Sequence, residues 1–191
     1  MMIVAGVDEA GRGPLAGPVV AAAVVLPRRE REHLVAMGLR DSKKMTAGKR
    51  ERIFSVMLEM DVPWRAQAAS PGRIDRHNIL RAALWAMERA VFELPVTPDL
   101  VIVDGTTPLP CEGLNQRAIK GADDIVPAVA AASVVAKVLR DRAMIVLAQC
   151  YPEYGFERNK GYPSKEHRRI LREIGPCPLH RRTFGPCMKR R

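Results

Sequence analysis

Long apolar runs are absent from this sequence, and no stretch is both long enough and sufficiently free of charge to cross a bilayer. The apolar N-terminal stretch, residues 1–26, carries Asp8, Glu9 and Arg12 in its middle. A secretory signal does not tolerate charges there. We therefore expect no targeting segment, no membrane partner and a cytoplasmic location.

Cysteine is scarce, with four residues and no C-x-x-C motif. This pattern fits a reduced interior better than a disulfide framework. Cys177, His180 and Cys187 resemble part of a zinc site, but prolines interrupt the segment and it lacks a convincing fourth ligand. The cysteines thus favour neither a disulfide scaffold nor a structural zinc site.

Internal repeats and linker-like segments are also missing. The 191 residues are 47% hydrophobic and 27% charged, which predicts one soluble globular domain over residues 1–191, expected to act as a monomer. Acidic residues are in the minority, with 21 Asp and Glu against 31 Lys and Arg, and the net charge is +10. A basic domain of this size often binds a polyanion such as nucleic acid, but only the placement of the charges can decide this.

The hydrophobic pattern switches between the periods of strands and helices. Strands are expected over residues 3–7, 19–26, 63–69, 100–103 and 115–120. Helices are expected over 46–58, 78–94, 127–150 and 164–174, with a further helical region from Ser70 and a loop over 151–161. This order predicts a single α/β domain.

Two adjacent carboxylates, Asp8 and Glu9, follow the first apolar strand. In a regular strand they would point to opposite faces, so a bend at the pair, supplied by residues 10–13, is needed if both serve one site. Carboxylates recruit hard cations such as Mg²⁺ or Mn²⁺, although a solvated Asp-Glu turn is commoner for a pair taken alone.

The same segment matches the dinucleotide-binding pattern G-x-G-x-x-A at Gly11, Gly13 and Ala16. We reject that interpretation because the glycines should open a helix, whereas Gly17-Pro18 interrupts one. A Gly-Arg-Gly bend does expose backbone N–H groups, which suit a single phosphate or a sugar hydroxyl.

Further carboxylates follow later strands. Asp104 ends an apolar strand before Gly105, and beside Asp8 in a neighbouring strand it becomes a third ligand at the same sheet edge. Asp123 and Asp124 precede the helix that begins at Pro127, where either is a fourth carboxylate or an N-cap. Ser133 and Lys137 share one face of that helix.

A series of motifs in the order of the chain resembles the ribonuclease HII family. The matching segments are residues 6–20, 41–43, 74–75 with 78–79, 103–105, 131–137 with 140–141, 151–152, 160–163 and 180–184. They span nearly the whole chain. The related type HIII carries Gly-Thr-Gly where this chain has Gly11-Arg12-Gly13.

The resemblance implies a ribonuclease H-like fold, a mixed central sheet flanked by helices. It also implies cleavage of the RNA strand of RNA–DNA hybrids, including DNA with embedded ribonucleotides. Two divalent ions, Mn²⁺ or Mg²⁺, are implied with substrate bound. The implied catalytic carboxylates are Asp8, Glu9, Asp104 and Asp123, the first three as metal ligands. The family usually has Gly directly before the fourth carboxylate, where this chain has Ala122, so Asp124 remains a possible substitute.

The resemblance also implies a set of substrate contacts. The backbone of Gly11, Arg12 and Gly13 and the ring of Tyr162 would read the 2′-hydroxyl and the following sugar. Lys43, Ser133 and Lys137 would hold phosphates, and Asn78 is a further contact. Two other functions remain open, namely another nuclease on the same fold, such as a junction resolvase, and a non-catalytic hybrid-binding module.

Overall fold

A five-stranded mixed sheet forms the centre of the molecule. The computed structural model describes residues 2–188. The strands are β1 (Val4–Ala10), β2 (Val19–Val25), β3 (Trp64–Ala69), β4 (Leu100–Asp104) and β5 (Gln116–Ile119). Their order across the sheet is β3-β2-β1-β4-β5, in which β2 is antiparallel to both β1 and β3, whereas β4 is parallel to both β1 and β5. The predicted mixed sheet is confirmed.

Seven helices accompany this sheet within the described residues. They are α1 (Arg28–Ala36), α2 (Ala47–Glu59), α3 (Pro71–His77), α4 (Ile79–Phe92), α5 (Pro127–Ala148), α6 (Phe156–Asn159) and α7 (Lys165–Ile174). Short 3-10 turns lie at Ser42–Lys44, Ala122–Asp124, Pro152–Tyr154 and Gly185–Cys187. No helix in residues 2–188 combines the length and apolar character needed to cross a membrane.

Most helix starts follow the local signals in the sequence. The side chains of Thr46, Ser70 and Ser164 cap α2, α3 and α7 by accepting backbone N–H groups at 3.3, 3.3 and 3.1 Å. Pro127 occupies the first turn of α5, where its missing N–H costs nothing. The predicted loop over residues 151–161 is wrong in part, because it contains α6 and a 3-10 turn that bury Tyr154 and Phe156.

The two faces of the sheet are covered by different helices. Helix α5, with α1 and α2, packs on one face and buries an alanine-rich cluster, and α4 packs on the other through its apolar stripe. Gly6 allows close approach of α5, because a Cβ at Gly6 would lie 2.2 Å from the backbone of Ala128 and Val129. A third cluster joins the end of α5 to α6, α7 and the segment after β1.

Candidate metal centre and nucleic-acid interface

Three carboxylates converge at one edge of the sheet. Asp8 lies on β1, Asp104 ends β4 and Asp123 lies in the 3-10 turn before α5, and each offers an oxygen within 4.8 Å of the others. Strands β1 and β4 are parallel neighbours with Val7 opposite Val103, so Asp8 and Asp104 come side by side. This is the arrangement that the two strand-end carboxylates predict.

Glu9 lies on the other face of the sheet from Asp8. The predicted bend lies within residues 10–13 as expected, but it does not bring Asp8 and Glu9 to one face, because pairing with β2 keeps the strand extended through Ala10. The chain turns only at Gly11, whose φ is +99°. Glu9 therefore faces α4 and lines a cavity of about 160 Å³ that Asp104 also borders. Asp104 borders this cavity and also belongs to the cluster with Asp8 and Asp123.

The carboxylates disfavour one another's charged forms. Burial, followed by the charges of Glu9 and Asp104, raises the pKa of Asp8 well above its ordinary value. Burial also raises the pKa of Glu9 and of Asp123, and the charge of Asp104 adds to both shifts. A divalent cation relieves this repulsion, because it neutralises several carboxylates at once.

The donor set fits such a cation. The Oδ2 atom of Asp8 is buried and has no hydrogen-bond partner, a costly state that a metal ion would remove. The other oxygen of Asp8 accepts the Glu9 N–H at 2.7 Å, and Asp104 Oδ1 accepts the Ala122 N–H at 2.8 Å. Oxygen ligands of this kind suit Mg²⁺ or Mn²⁺.

Asp123 and Asp124 have different surroundings. Asp123 is 5% exposed and belongs to the carboxylate cluster. Asp124 points to solvent, where its carboxylate pairs with Lys44 Nζ at 2.6 Å. The geometry favours Asp123 as the fourth carboxylate.

Lys43 is the nearest lysine to this cluster. Its Nζ lies 3.4 Å from Asp123 Oδ2 and 3.9 Å from Asp41 Oδ1, and its side chain is 71% exposed. Burial lowers its pKa, but the charges of Asp8, Asp41 and Asp123 outweigh this and raise it overall. Lys43 thus carries a positive charge at the rim of the acidic site.

Ser133 lies below this rim rather than on it. It is 2% exposed, and its hydroxyl lies 2.7 Å from that of Ser42, which starts the 3-10 turn carrying Lys43. This burial favours a role in positioning the turn rather than direct contact with a phosphate.

The segment after β1 forms a surface loop instead of a helix, which agrees with our rejection of the dinucleotide-binding interpretation. Gly11 is buried, whereas Arg12 and Gly13 are exposed. Arg12 Nη1 lies 3.3 Å from Glu9 Oε1, which ties the loop to the acidic site. We call residues 11–13 the glycine loop.

Tyr162 stands next to the glycine loop and is 43% exposed. A Cβ at Gly13 would lie 3.8 Å from the Tyr162 ring. Lys137 Nζ lies 5.8 Å from the ring centroid and donates to Asp141 at 2.8 Å. The exposed ring does not belong to the buried core. Residues 160–162 are called the tyrosine loop below.

Asn78 lies between α3 and α4, two residues before Leu80, which lines the same cavity as Glu9. Its backbone adopts a φ of +66°, and its side chain accepts the Arg81 N–H at 3.0 Å. It therefore caps α4, and its remaining side-chain N–H groups are available to a ligand.

Sequence reasoning assigned no role to two completely buried arginines, Arg140 and Arg181. Both lie within segments that match the family motifs. A signal was present for Arg140, since it lies one turn after Lys137 on the otherwise apolar, buried part of α5. Nothing local marks Arg181, whose partners Gly11, Arg12 and Gly17 are 164 to 170 residues away in the sequence.

Comparisons with known proteins agree with this geometry. The family model described as "Ribonuclease HII" matches residues 5–187. A ribonuclease HII of Granulibacter bethesdensis is 52% identical, covering 96% of this chain and 84% of its own length.

Solved structures give the same result. The ribonuclease H2 of Pyrococcus horikoshii superposes with a TM-score of 0.81 at 32% identity, covering 97% of this chain and 95% of that one. The ribonuclease HII of Archaeoglobus fulgidus, solved in a complex with PCNA, gives 0.82 at 25% identity, with 100% and 98% covered. The chain therefore belongs to the ribonuclease HII family, metal-dependent hydrolases that cleave the RNA of RNA–DNA hybrids.

Proposed function

We propose that this protein cuts on the 5′ side of ribonucleotides, including single ones embedded in duplex DNA, and leaves 3′-hydroxyl and 5′-phosphate ends. The observation that carries the proposal is the joining of two features at one surface. A carboxylate cluster with an unpartnered Asp8 oxygen lies beside an exposed glycine loop and an exposed tyrosine.

We further propose that Asp8, Glu9, Asp104 and Asp123 hold two divalent ions, Mg²⁺ or Mn²⁺, when substrate is bound. Bound ions of this kind activate a water and stabilise the leaving oxygen. Glu9 reaches this centre from the α4 side of the sheet, and Asp8 and Asp123 from the α5 side. Asp104 borders the cavity of Glu9 and also lies within the cluster of Asp8 and Asp123, so it would supply an oxygen ligand on either side.

The residues around the carboxylates bind and orient the nucleic acid. Lys43 offsets the charge of a phosphate close to the acidic cluster, while Lys137 and Asn78 contact phosphates farther out. The N–H groups of the glycine loop bond the 2′-hydroxyl, which is the group that separates RNA from DNA. Tyr162 stacks on the sugar that follows.

The other two functions are less well supported. A junction resolvase on this fold would use the carboxylates but has no need of a sugar-reading loop and tyrosine. A non-catalytic binding module would gain nothing from an acidic cluster that repels phosphate. We also propose that the protein acts as a monomer in the cytoplasm, since one chain supplies every site residue and all four cysteines are free.

The test is to map where a DNA duplex with one embedded ribonucleotide is cut. We expect a single cut at its 5′ side, dependent on Mg²⁺ or Mn²⁺ and absent in Asp104→Asn. This substitution removes a metal ligand while keeping the side-chain shape. Cleavage of a four-way DNA junction would favour the resolvase, and binding without cleavage would favour the module.

A further inference from the structure

Two buried arginines lie behind the glycine and tyrosine loops. Arg140 and Arg181 are both 0% exposed, and neither forms a salt bridge within residues 2–188. Burial, together with the charge of Arg140, lowers the pKa of Arg181 to about 9. Two neighbouring buried cations with no carboxylate in direct contact are costly, and apolar side chains of similar volume often stabilise a core better. Stability alone therefore does not account for them.

The partners of both arginines are backbone carbonyls in and around the two loops. Arg181 donates to the carbonyls of Gly11, Arg12 and Gly17 at 2.6, 2.9 and 3.1 Å. Arg140 donates to those of Pro18, Ala16 and Lys160 at 3.0, 3.2 and 3.0 Å. Arg140 thus joins the segment after the glycine loop to the start of the tyrosine loop.

These bonds set the direction of the N–H groups in the glycine loop. The N–H and C=O groups of a trans peptide point in opposite directions, and the described residues contain no cis peptide. Because Arg181 draws the carbonyls of Gly11 and Arg12 inward, the N–H groups of Arg12 and Gly13 point outward. Both residues are exposed, so these two donors face the solvent where a substrate would lie.

The tyrosine loop is held from behind as well. His180 Nδ1 accepts the Cys177 N–H at 3.0 Å, so the proton of its neutral ring lies on Nε2, which donates to His167 Nε2 at 2.9 Å. His167 Nδ1 then donates to the Tyr162 carbonyl at 2.8 Å. In addition, the Leu15 N–H donates to the Gly161 carbonyl at 2.8 Å, which joins the two segments directly.

We propose that Arg140 and Arg181 are positioning residues that hold the glycine loop and the tyrosine loop at the orientation and separation needed to recognise a ribose. The inference rests on the proposed function, because it assumes that these loops read the ribonucleotide. Its consequence is selective, since loosening the arginines should reduce discrimination between ribose and deoxyribose while leaving general duplex binding and metal binding intact.

All proteins in this test carry Asp104→Asn, so that the substrate is not cut. The reference protein carries only this substitution, and the two variants carry Arg140→Lys or Arg181→Lys in addition. Lysine keeps the charge but cannot bond several carbonyls with one planar fork. Fluorescence anisotropy in Mg²⁺ measures the affinity for a DNA duplex with one ribonucleotide and for the same all-DNA duplex. We expect each variant to lose about tenfold of the preference for ribose, the contribution of about one hydrogen bond, with unchanged affinity for DNA.

Arg142→Lys is the matched control, because Arg142 lies on the same helix but is exposed and pairs with Glu51. It should keep the full preference. If a lysine variant fails to fold, Asp75→Asn gives a milder test. Asp75 accepts the N–H groups of Arg182 and Thr183 at 2.9 and 3.0 Å and so anchors the segment carrying Arg181. The Asp75→Asn variant should therefore lose part of the preference for the duplex with the ribonucleotide.

The outcomes separate the two proposals. If the reference protein, with Asp104→Asn alone, binds both duplexes equally, the proposed function is refuted together with this inference. A clear preference that persists in folded lysine variants, or in Asp75→Asn where those do not fold, refutes this inference alone. An equal loss of affinity for both duplexes also refutes it, because the arginines would then serve general binding or stability.

Discussion

At the scale of single residues, Asp123 and Asp124 are chemically identical neighbours with opposite surroundings. Asp123 faces the carboxylate cluster, and Asp124 faces solvent and Lys44. Asp123→Asn should lower kcat at saturating metal by at least ~10²-fold, as for a group acting in the transition state. Asp124→Asn should have little effect, because an exposed ion pair contributes little. Steady-state kinetics on one hybrid substrate checks both, and the reverse order would exclude Asp123 as the fourth carboxylate.

Tyr162 allows a second prediction at this scale. Its ring is exposed, so Tyr162→Ala should leave the melting temperature nearly unchanged. Stacking of an aromatic ring on a nucleotide is worth ~1–3 kcal/mol, so cleavage at a single embedded ribonucleotide should fall by about 5- to 150-fold. Cleavage of an all-RNA/DNA hybrid should fall less, because the sugar that follows the cut there is a ribose and not the deoxyribose that we expect the ring to select.

Tyr162→Phe serves as the matched control for the hydroxyl group. Near-normal cleavage by this variant would assign the effect to the ring, and a large loss would assign it to the hydroxyl. Equal proportional losses on both substrates in a stable Tyr162→Ala protein would remove Tyr162 from the recognition of the embedded ribonucleotide.

At the scale of elements, the contact between β1 and α5 determines where Asp8 lies relative to the 3-10 turn that carries Asp123. Gly6 permits this contact, since any Cβ there would meet helix backbone at 2.2 Å. Gly6→Ala should therefore push α5 away and lower the free energy of unfolding by about 1–3 kcal/mol or more. Urea denaturation measures the change. Activity should fall as well, because the carboxylates separate.

Gly48→Ala is the matched control for this prediction. Gly48 lies in the first turn of α2, and a Cβ there would meet no atom within 4 Å. Alanine has the higher helix propensity, so the variant should be as stable as the parent or up to about 1 kcal/mol more stable. A Gly6→Ala protein as stable as the Gly48→Ala protein would show that the sheet and helix can separate at little cost.

At the scale of the whole molecule, the acidic site couples stability to pH and to metal. The pKa values of Asp8, Glu9 and Asp123 are raised, first by burial, so the folded protein holds more protons than the unfolded chain above about pH 4. Their contribution to stability therefore falls as pH rises through this window. Metal binds the deprotonated carboxylates, so protons compete with it less at high pH.

We accordingly expect the increase in melting temperature caused by Mn²⁺ to be larger at about pH 8 than at about pH 5. At a concentration of about 100 times Kd the gain is about 2.7 kcal/mol, or roughly 5–10 °C for a domain of this size. Differential scanning calorimetry with and without Mn²⁺ measures it. Asp104→Asn should lose most of the increase, and a shift that is retained in this variant or is independent of pH would contradict a metal centre at these carboxylates.

The local signals in the sequence were sufficient to predict most elements. Thr46, Ser70, Ser164 and Pro127 mark helix starts because the bonds they make, or the donor that Pro127 lacks, depend only on a few neighbouring residues. The faces of the sheet on which Asp8 and Glu9 lie were harder to predict. They depend on where β1 ends, and this is determined by pairing with β2 rather than by the neighbouring residues. The short helix α6 was missed because its stability comes from burying Phe156 in a distant cluster.

The sequence by itself determined the α/β class, the basic character and the carboxylates at the ends of β1 and β4. The period of the hydrophobic pattern, the net charge and the position of a carboxylate at the end of an apolar strand can all be inferred from the order of the residues. Only the tertiary structure placed Asp123 in the carboxylate cluster and Asp124 at the surface, placed Glu9 on the α4 side, and brought Arg140 and Arg181 behind the loops next to the acidic site. These features depend on which side of a turn faces the sheet and on contacts across more than 100 residues, and no local pattern encodes either.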